Sequence, residues 1–350
     1  MKNSPKHPEI TKKLKDKILQ GRRFNEPTAV TLNKILALSV NKTIGICKLP
    51  NHINVSGDGT CILTGATSYG KRICECKSNR IFNCDCPRKF SDPSATWGWD
   101  SHNERYFYGY SGYFISTYDK KHKTDLPLYL RLIDAKRHDS VSAIVSLPEF
   151  LDLYPQLRID TFISDSASDN YPTYELLKEW DIKAVISLGK SNNGNHKYPI
   201  PIDHENGVPI CPAKHKMVNW GANKNDRFRN KWRCPRVLGK VKCSEACAKC
   251  SPSPYGRVVY TKMEWDPRLF CAIPRGTIQW KETMNERTAA ERVNNRILND
   301  YGVERCRRRG KKRIFFSVLI AAVNIHLDAQ VKAISDIGIF DFLNEIAEIV

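Results

Sequence analysis

Three acidic residues stand out by their type and position: Asp58, Asp165 and Glu291. Asp58 sits between two glycines in the stretch GDGT. The surrounding segment, INVSGDGTCILT (53–64), alternates as a strand should, with Asn54, Ser56, Asp58 and Thr60 on its polar side. Aspartate is disfavoured in strands, and glycine beside it lets another group approach the backbone closely. The same four residues also suit a hairpin turn, so both readings stay open. Asp165 closes the apolar stretch TFISD just ahead of a helical pattern, which is where open α/β sheets bind ligands. Capping the helix is the alternative, but Ser166, Ser168 and Asp169 are at hand for that task. Glu291 follows Arg287 by four residues and shares its helical face. Alone, the two would read as a surface ion pair worth roughly 0.3–0.5 kcal/mol. As a set, the three carboxylates suit hard divalent ions. Two Mg²⁺ or Mn²⁺ ions about 4 Å apart activate a water and stabilise the leaving oxygen of an in-line displacement.

The cysteines form two clusters. Cys74 and Cys76 are separated from Cys84 and Cys86 by seven residues, giving two C-x-C pairs. Cys243, Cys247 and Cys250 follow one another at C-x₃-C-x₂-C spacing, with Cys234, Cys211 or His215 as a fourth partner. Cys₄ and Cys₃His sets are those of structural zinc, and each cluster is a candidate Zn²⁺ site; Cys234 is taken as the fourth ligand of the second. A run of cations, Arg305, Arg307, Arg308, Arg309, Lys311, Lys312 and Arg313, follows the Glu291 segment and suits contact with a DNA backbone.

Composition agrees with a nucleic-acid partner. The chain has 350 residues, with Lys plus Arg 56 against Asp plus Glu 37, a formal charge of +19. Apolar residues make up 41%, enough for a full core and against global disorder. No run reaches the ~18 apolar residues of a membrane span, so no membrane partner is expected. The first thirty residues are polar and basic, without a secretory signal. A cytoplasmic location is expected, and reduced thiols in clusters then point to metal more than to disulfides.

The elements that must position these residues are legible in part. Strands are expected at 53–64, 106–118, 126–134, ending near 165, at 183–188, 257–263 and 268–273. Helices are expected at 140–154, 172–180, 280–300, 314–333 and 337–349. The stretch 160–190 reads as a βαβ unit. Residues 65–104 read as an irregular Cys-rich excursion. His326, on the apolar helix, reads as a satisfied core residue.

In this order and spacing, the sequence resembles the DDE transposases of bacterial insertion sequences. The residues that carry the resemblance are GDGT around Asp58, DSASDNYPTYELL from Asp165, and R-x-x-x-E from Arg287 to Glu291. CPRKFSDPSATWGWDS (86–101), AKRHDS (135–140) and RRRGKKR before an apolar helix add to it. The resemblance spans about residues 50–333. It implies an α/β, RNase H-like fold: a mixed sheet flanked by helices, with a Cys-rich insertion between the second and third catalytic carboxylates. The expected layout is a short basic helical segment (1–50), the first part of the catalytic core (51–189), the Cys-rich insertion (190–256) and the rest of the core (257–350). The resemblance also implies that Asp58, Asp165 and Glu291 hold two Mg²⁺ or Mn²⁺ ions and that Arg287 contacts DNA near the scissile phosphate. The partners it implies are double-stranded DNA, at the element's terminal repeats and at the target, and a second copy of the chain on paired ends, in a bacterial nucleoid-associated setting. Where the family often has Tyr before that arginine and Lys after the glutamate, this chain has Met284 and Leu298. Two other readings stay open: a shortened, inactive remnant that still binds DNA, and a zinc-stapled nucleic-acid-binding protein.

Overall fold

The GDGT stretch lies within a strand and not in a turn. In the computed structural model, β1 (His52–Leu63) runs unbroken through Asp58. The structure describes residues 7–101, 103–189, 197–223, 228–243, 251, 253–304 and 307–337. Helices α1 (His7–Leu19) and α2 (Pro27–Cys47) precede β1. After it come β2 (Lys71–Arg72), β3 (Arg88–Lys89), β4 (Thr96–Asp100), β5 (Arg105–Asp119), β6 (Thr124–Asp134) and α3 (Asp139–Leu153). Next are β7 (Arg158–Ser164), α4 (Tyr171–Glu179), β8 (Lys183–Ile186), β9 (Val218–Asn223), β10 (Arg229–Arg233) and β11 (Val258–Lys262). The last described elements are α5 (Ile278–Asn285), α6 (Thr288–Asn295) and α7 (Lys311–Ile337). The main sheet has six strands, β1 and β4 to β8. Its antiparallel and parallel pairs make it a mixed sheet, as expected.

The chain divides into two compact units. One contains residues 16–158 and the described residues from 288 onward. In it β1 pairs antiparallel with β5, placing Asp58 opposite Phe114, and β5 pairs antiparallel with β4 and β6. Val55, Ile62, Phe114, Leu128 and Leu130 of the strands, Leu36 and Val40 of α2, and Val318 and Ile325 of α7 are all buried, and α2 and α7 pack on each other and on β6. Within this unit α2, α3, α6 and α7 all pack on strands. Asn33 of α2 donates to the Leu130 carbonyl (2.8 Å) and accepts from the Leu130 N–H (3.0 Å). That satisfies β6 backbone groups that strand pairing leaves over.

Helix α7 is apolar and long enough to cross a membrane, but its buried side packs on α2 and β6. His326 explains part of that docking. Its Nε2 faces the Pro127 carbonyl (2.7 Å), which only accepts, so Nε2 carries the proton and Nδ1 faces the Thr43 hydroxyl (3.0 Å). Gln330 donates to the same hydroxyl (2.9 Å). Burial drives the ring's pKa down from 6.5 to about 4, the Pro127 hydrogen bond opposing only part of it. The unfolded chain therefore binds a proton below pH ~6.5 that the native state refuses until about pH 4. Stability should fall across that window by about 3 kcal/mol from this residue alone. Urea unfolding at pH 7 and pH 4.5 checks this: a His326→Gln protein should lose less on acidification than the wild type.

The other unit contains the described residues up to Lys15 and 159–287. Here β7 and β8 pair in parallel, Ile163 opposite Val185, with α4 between them in sequence. This is the βαβ unit expected. Val185 and Ile163 pack with Ile273, Trp280 and Met284. A separate antiparallel sheet, β9–β10–β11, occupies the region read as an insertion.

Three expectations are corrected. Residues 268–273 are not a strand: Asp266 accepts from the Arg268 N–H (2.9 Å) and the chain turns there, its apolar side chains buried all the same. The single helix over 280–300 is three pieces, because the chain turns at Glu286–Arg287 before α6 and winds as a π-turn over Arg296–Asp300. The excursion at 65–104 is not wholly irregular, since it holds β2, β3 and β4. The helix expected at 337–349 lies, beyond its first residue, outside the described residues.

Candidate functional site

Asp58 occupies the middle of β1, and helix α6 reaches it. Asn294 Nδ2 donates to Asp58 Oδ2 at 2.9 Å. Ala289, Ala290, Val293 and Asn294 are buried, and α6 packs on β1, β5 and β6. A bidentate ion pair fixes the helix from outside: Arg292 Nε and Nη2 lie 2.6 and 2.7 Å from the two Asp125 oxygens at the start of β6. Glu291 stands exposed in the first turn of α6, where the helix end favours negative charge. It precedes Asn294 by three residues, so the two share a helical face. The sequence pattern placed Glu291 on this helix but did not reveal Asn294; only its i+3 spacing from Glu291 marked it.

Gly59 is glycine for a physical reason. A Cβ there would overlap the carboxylate of Asp139. Asp139 opens α3, after His138 accepts from the Ser140 N–H as its cap (3.2 Å). The close approach anticipated from the glycines beside Asp58 therefore comes from a second carboxylate. Its AKRHDS stretch carried part of the resemblance, but no role was assigned to Asp139.

Asp165 directly follows β7, as expected, but it also caps: its Oδ1 accepts from the Ala167 N–H (3.0 Å) of a short 3₁₀ turn. The expectation that neighbours would relieve it of that task is corrected. Asn170 instead caps α4 (3.1 Å), and Asp169 is buried in another role. Asp169 pairs bidentately with Arg268 (2.9 and 2.6 Å) and accepts from the Gly189 N–H (2.7 Å) and the Tyr174 hydroxyl (3.1 Å). Capping engages one oxygen of a carboxylate that offers about four lone-pair sites. Asp58, Glu291 and Asp139 belong to one compact unit; Asp165 belongs to the other, as does Arg287, in the turn before α6.

In the basic run, Arg307, Arg308, Arg309, Lys312 and Arg313 are exposed, and Lys311 pairs with Glu26 (2.5 Å). Arg305 lies outside the described residues. The run lies against the start of the Cys-rich excursion. The Gly65 N–H donates to the Arg308 carbonyl (2.8 Å), and a Cβ on Gly65 would overlap the Arg307 backbone. Asp92 closes the excursion. Wholly buried, it accepts from Thr64 (2.6 Å), Tyr110 (2.6 Å) and the Gly310 N–H (2.8 Å). Burial pushes its pKa up, but these hydrogen bonds outweigh that and leave it lowered.

Cys74, Cys76, Cys84 and Cys86 converge, with all four sulfurs within 4.8 Å of one another. Cys74 lies 3.6 Å from Cys84, and Cys76 3.6 Å from Cys86. The second cluster is not seen as such. Cys247 and Cys250 lie outside the described residues, and among the described residues Cys211, His215, Cys234 and Cys243 supply no three-ligand group. Cys211 packs with Val208, Met217 and Trp232 as a core residue. Cys47 is buried with Asp119 and His122, whose side chains meet at 2.6 Å. Burial raises the Cys47 thiol to about 11.

No curated protein matches this chain. Among solved structures it is similar to a piggyBac transposase in a synaptic complex with hairpin DNA, determined by cryo-EM. Identity is 11% and the TM-score 0.35, over 82% of this chain and 47% of that one; this chain thus spans about half that protein's length. The family model of the transposase DDE domain matches residues 58–325, from the aspartate of β1 to the middle of α7. By that match, the chain belongs to the DDE transposase family.

Proposed function

We propose that this protein cuts DNA strands at the ends of a mobile element and joins them to target DNA, with Asp58, Asp165 and Glu291 as the ligands of two Mg²⁺ or Mn²⁺ ions. The observation that carries the reading is the hydrogen bond from Asn294 to Asp58, which ties the helix of Glu291 to the strand of the first carboxylate. The donor set fits: three carboxylates offer hard oxygen ligands, and no thiol or imidazole is among them. When bound, such ions make a water, and then a 3′-OH, nucleophilic and steady the leaving oxygen.

The chain's own residues do the positioning. Asn294 fixes the Asp58 carboxylate from one side, and the Arg292–Asp125 pair keeps α6 from rolling on β1. The exposed cations at 307–309, 312 and 313 bind phosphates without reading sequence. A homodimer on paired ends is part of this proposal, as are the terminal repeats as substrate. Arg287, beside the start of α6, is assigned to DNA near the cleaved bond.

The test is incubation of purified protein with a duplex carrying its element's ends and Mg²⁺ or Mn²⁺, followed by analysis of nicked and joined strands. Nicks at the element boundary are expected; binding without nicks under either ion would favour the inactive remnant. In the same assay Asn294→Ala should slow cleavage by roughly 10–100-fold, the usual cost of losing a group that orients a metal ligand. Wild-type rates in that variant would remove Asn294 from the site.

A further inference from the structure

We propose that Cys74, Cys76, Cys84 and Cys86 bind one zinc ion, and that the hairpin it staples is a contact surface for the backbone of duplex DNA. A tetrahedral ion with Zn–S bonds of ~2.3 Å has sulfur–sulfur edges of ~3.8 Å. The four sulfurs here lie within 4.8 Å of one another, and the pairs at 3.6 Å are near that edge. Disulfide sulfurs sit ~2.05 Å apart, well short of these separations. The segment also needs a staple. β2 and β3 are two residues each, and Tyr69, Ile73, Ile81, Phe82 and Phe90 are exposed, so the hairpin has little apolar core.

Charge identifies the partner. Both rungs of the hairpin pair cation with cation: Lys71 faces Lys89, and Arg72 faces Arg88. Like charges directly opposite each other destabilise a strand pair. Successive rungs point to opposite faces, so each face of the hairpin presents a pair of cations, and a polyanion against that face offsets the cost of placing them together. The residues of 67–91 carry Lys71, Arg72, Lys77, Arg80, Arg88 and Lys89 against only Glu75 and Asp85. At its base the excursion meets exposed Arg307, Arg308 and Arg309 through Gly65. Stapled hairpin and basic run thus belong to one unit and are joined at Gly65. A duplex backbone suits the hairpin better than an apolar protein face, because the rungs themselves are charged. The inference shares with the proposed function only the choice of DNA, and it does not involve the carboxylates.

The test begins with the full-length protein purified under reducing conditions without chelator. Zinc content should fall by one equivalent in Cys74→Ser/Cys84→Ser relative to wild type, with the circular dichroism spectrum retained. A Cys76→His protein should keep its zinc, because Cys₃His also binds the ion. Cobalt-loaded wild type should show thiolate charge-transfer absorption that the double serine variant lacks. Equal zinc in wild type and the serine variant, or a Cys74–Cys84 disulfide, would overturn the metal site. The DNA surface is read as equilibrium binding to a random-sequence duplex, with no cleavage required. Lys71→Ala/Arg88→Ala/Lys89→Ala should retain zinc. It should flatten the slope of log K against log salt by about 0.9 for each phosphate no longer neutralised, so by about 2.7 for three. An unchanged slope in a zinc-loaded variant overturns the DNA surface even if the protein cleaves DNA. A flattened slope in a protein that never cleaves supports it while the proposed function fails.

Discussion

Replacing Asp58 by Asn should reduce DNA strand cleavage by roughly 10³-fold or more while leaving DNA affinity near wild type. A metal's charge stabilisation is worth several kcal/mol, and each 1.4 kcal/mol is about tenfold in rate. Asn keeps the size of Asp and an oxygen that still accepts from Asn294, so the strand and the docking of α6 survive. What is lost is the negative charge. Binding survives because it rests on many Lys and Arg contacts to phosphate. Glu291→Gln should behave in the same way. Glu286→Gln serves as the control, since Glu286 caps α5 and sits in the turn ahead of α6. Loss of cleavage in Glu286→Gln with retention in Glu291→Gln would transfer the third ligand to Glu286. Retained cleavage in Asp58→Asn would end the carboxylate reading.

The second large effect is on stability. Arg268→Met should destabilise the protein by about 3–5 kcal/mol, since it leaves the Asp169 carboxylate buried without its counter-charge. The Asp169 side chain is wholly buried and that of Arg268 nearly so, and the pair is bidentate. Burial lowers the Arg268 pKa, but the hydrogen bonds and charge of Asp169 more than reverse this, leaving it raised. Urea unfolding of Arg268→Met, Asp169→Asn and the double variant measures the coupling. The double variant should be less destabilised than the sum of the singles, because no lone charge then remains. Strict additivity would show that the two residues act independently. Asp169 lies in the DSASDN stretch beside Asp165, so this also separates the structural aspartate of that motif from the proposed ligand.

Much of this architecture was legible because strand and helix periodicities are strong where one face is buried. The segments that became β1, β5, β6, α3, β7, α4 and β8 all announced themselves that way. Strand β4 did not: TWGWD is five residues with Trp97 and Trp99 exposed, so it carries no apolar alternation. The apolar run at 268–273 misled for the opposite reason. Its burial is real, but its backbone bonds go to the Asp266 turn and to Arg275, whose Nε donates to the Arg268 carbonyl (2.9 Å). The break at Glu286–Arg287 was hidden because no Gly or Pro marks it and Ala289, Val293 and Ile297 then recur every four residues. At the site, carboxylates could be picked out one by one from glycines, strand ends and spacing. Asn294 and Asp139 could not, because their importance lies in what they touch across the fold, 236 residues away for Asn294.

The Asp92 node makes distant parts of the chain open and close together. Thr64 and Arg308 are 244 positions apart, yet the Thr64 hydroxyl and the Gly310 N–H donate to the same Asp92 carboxylate, and the Gly65 N–H donates to the Arg308 carbonyl. Neither can fray alone, because releasing Gly310 or Thr64 strips a buried charge of a partner. They therefore form one cooperative opening unit in the sense of a foldon. Thermodynamic reciprocity follows. Whatever binds only the closed form at one of the two segments deepens the well for the other, and by the same free energy in return.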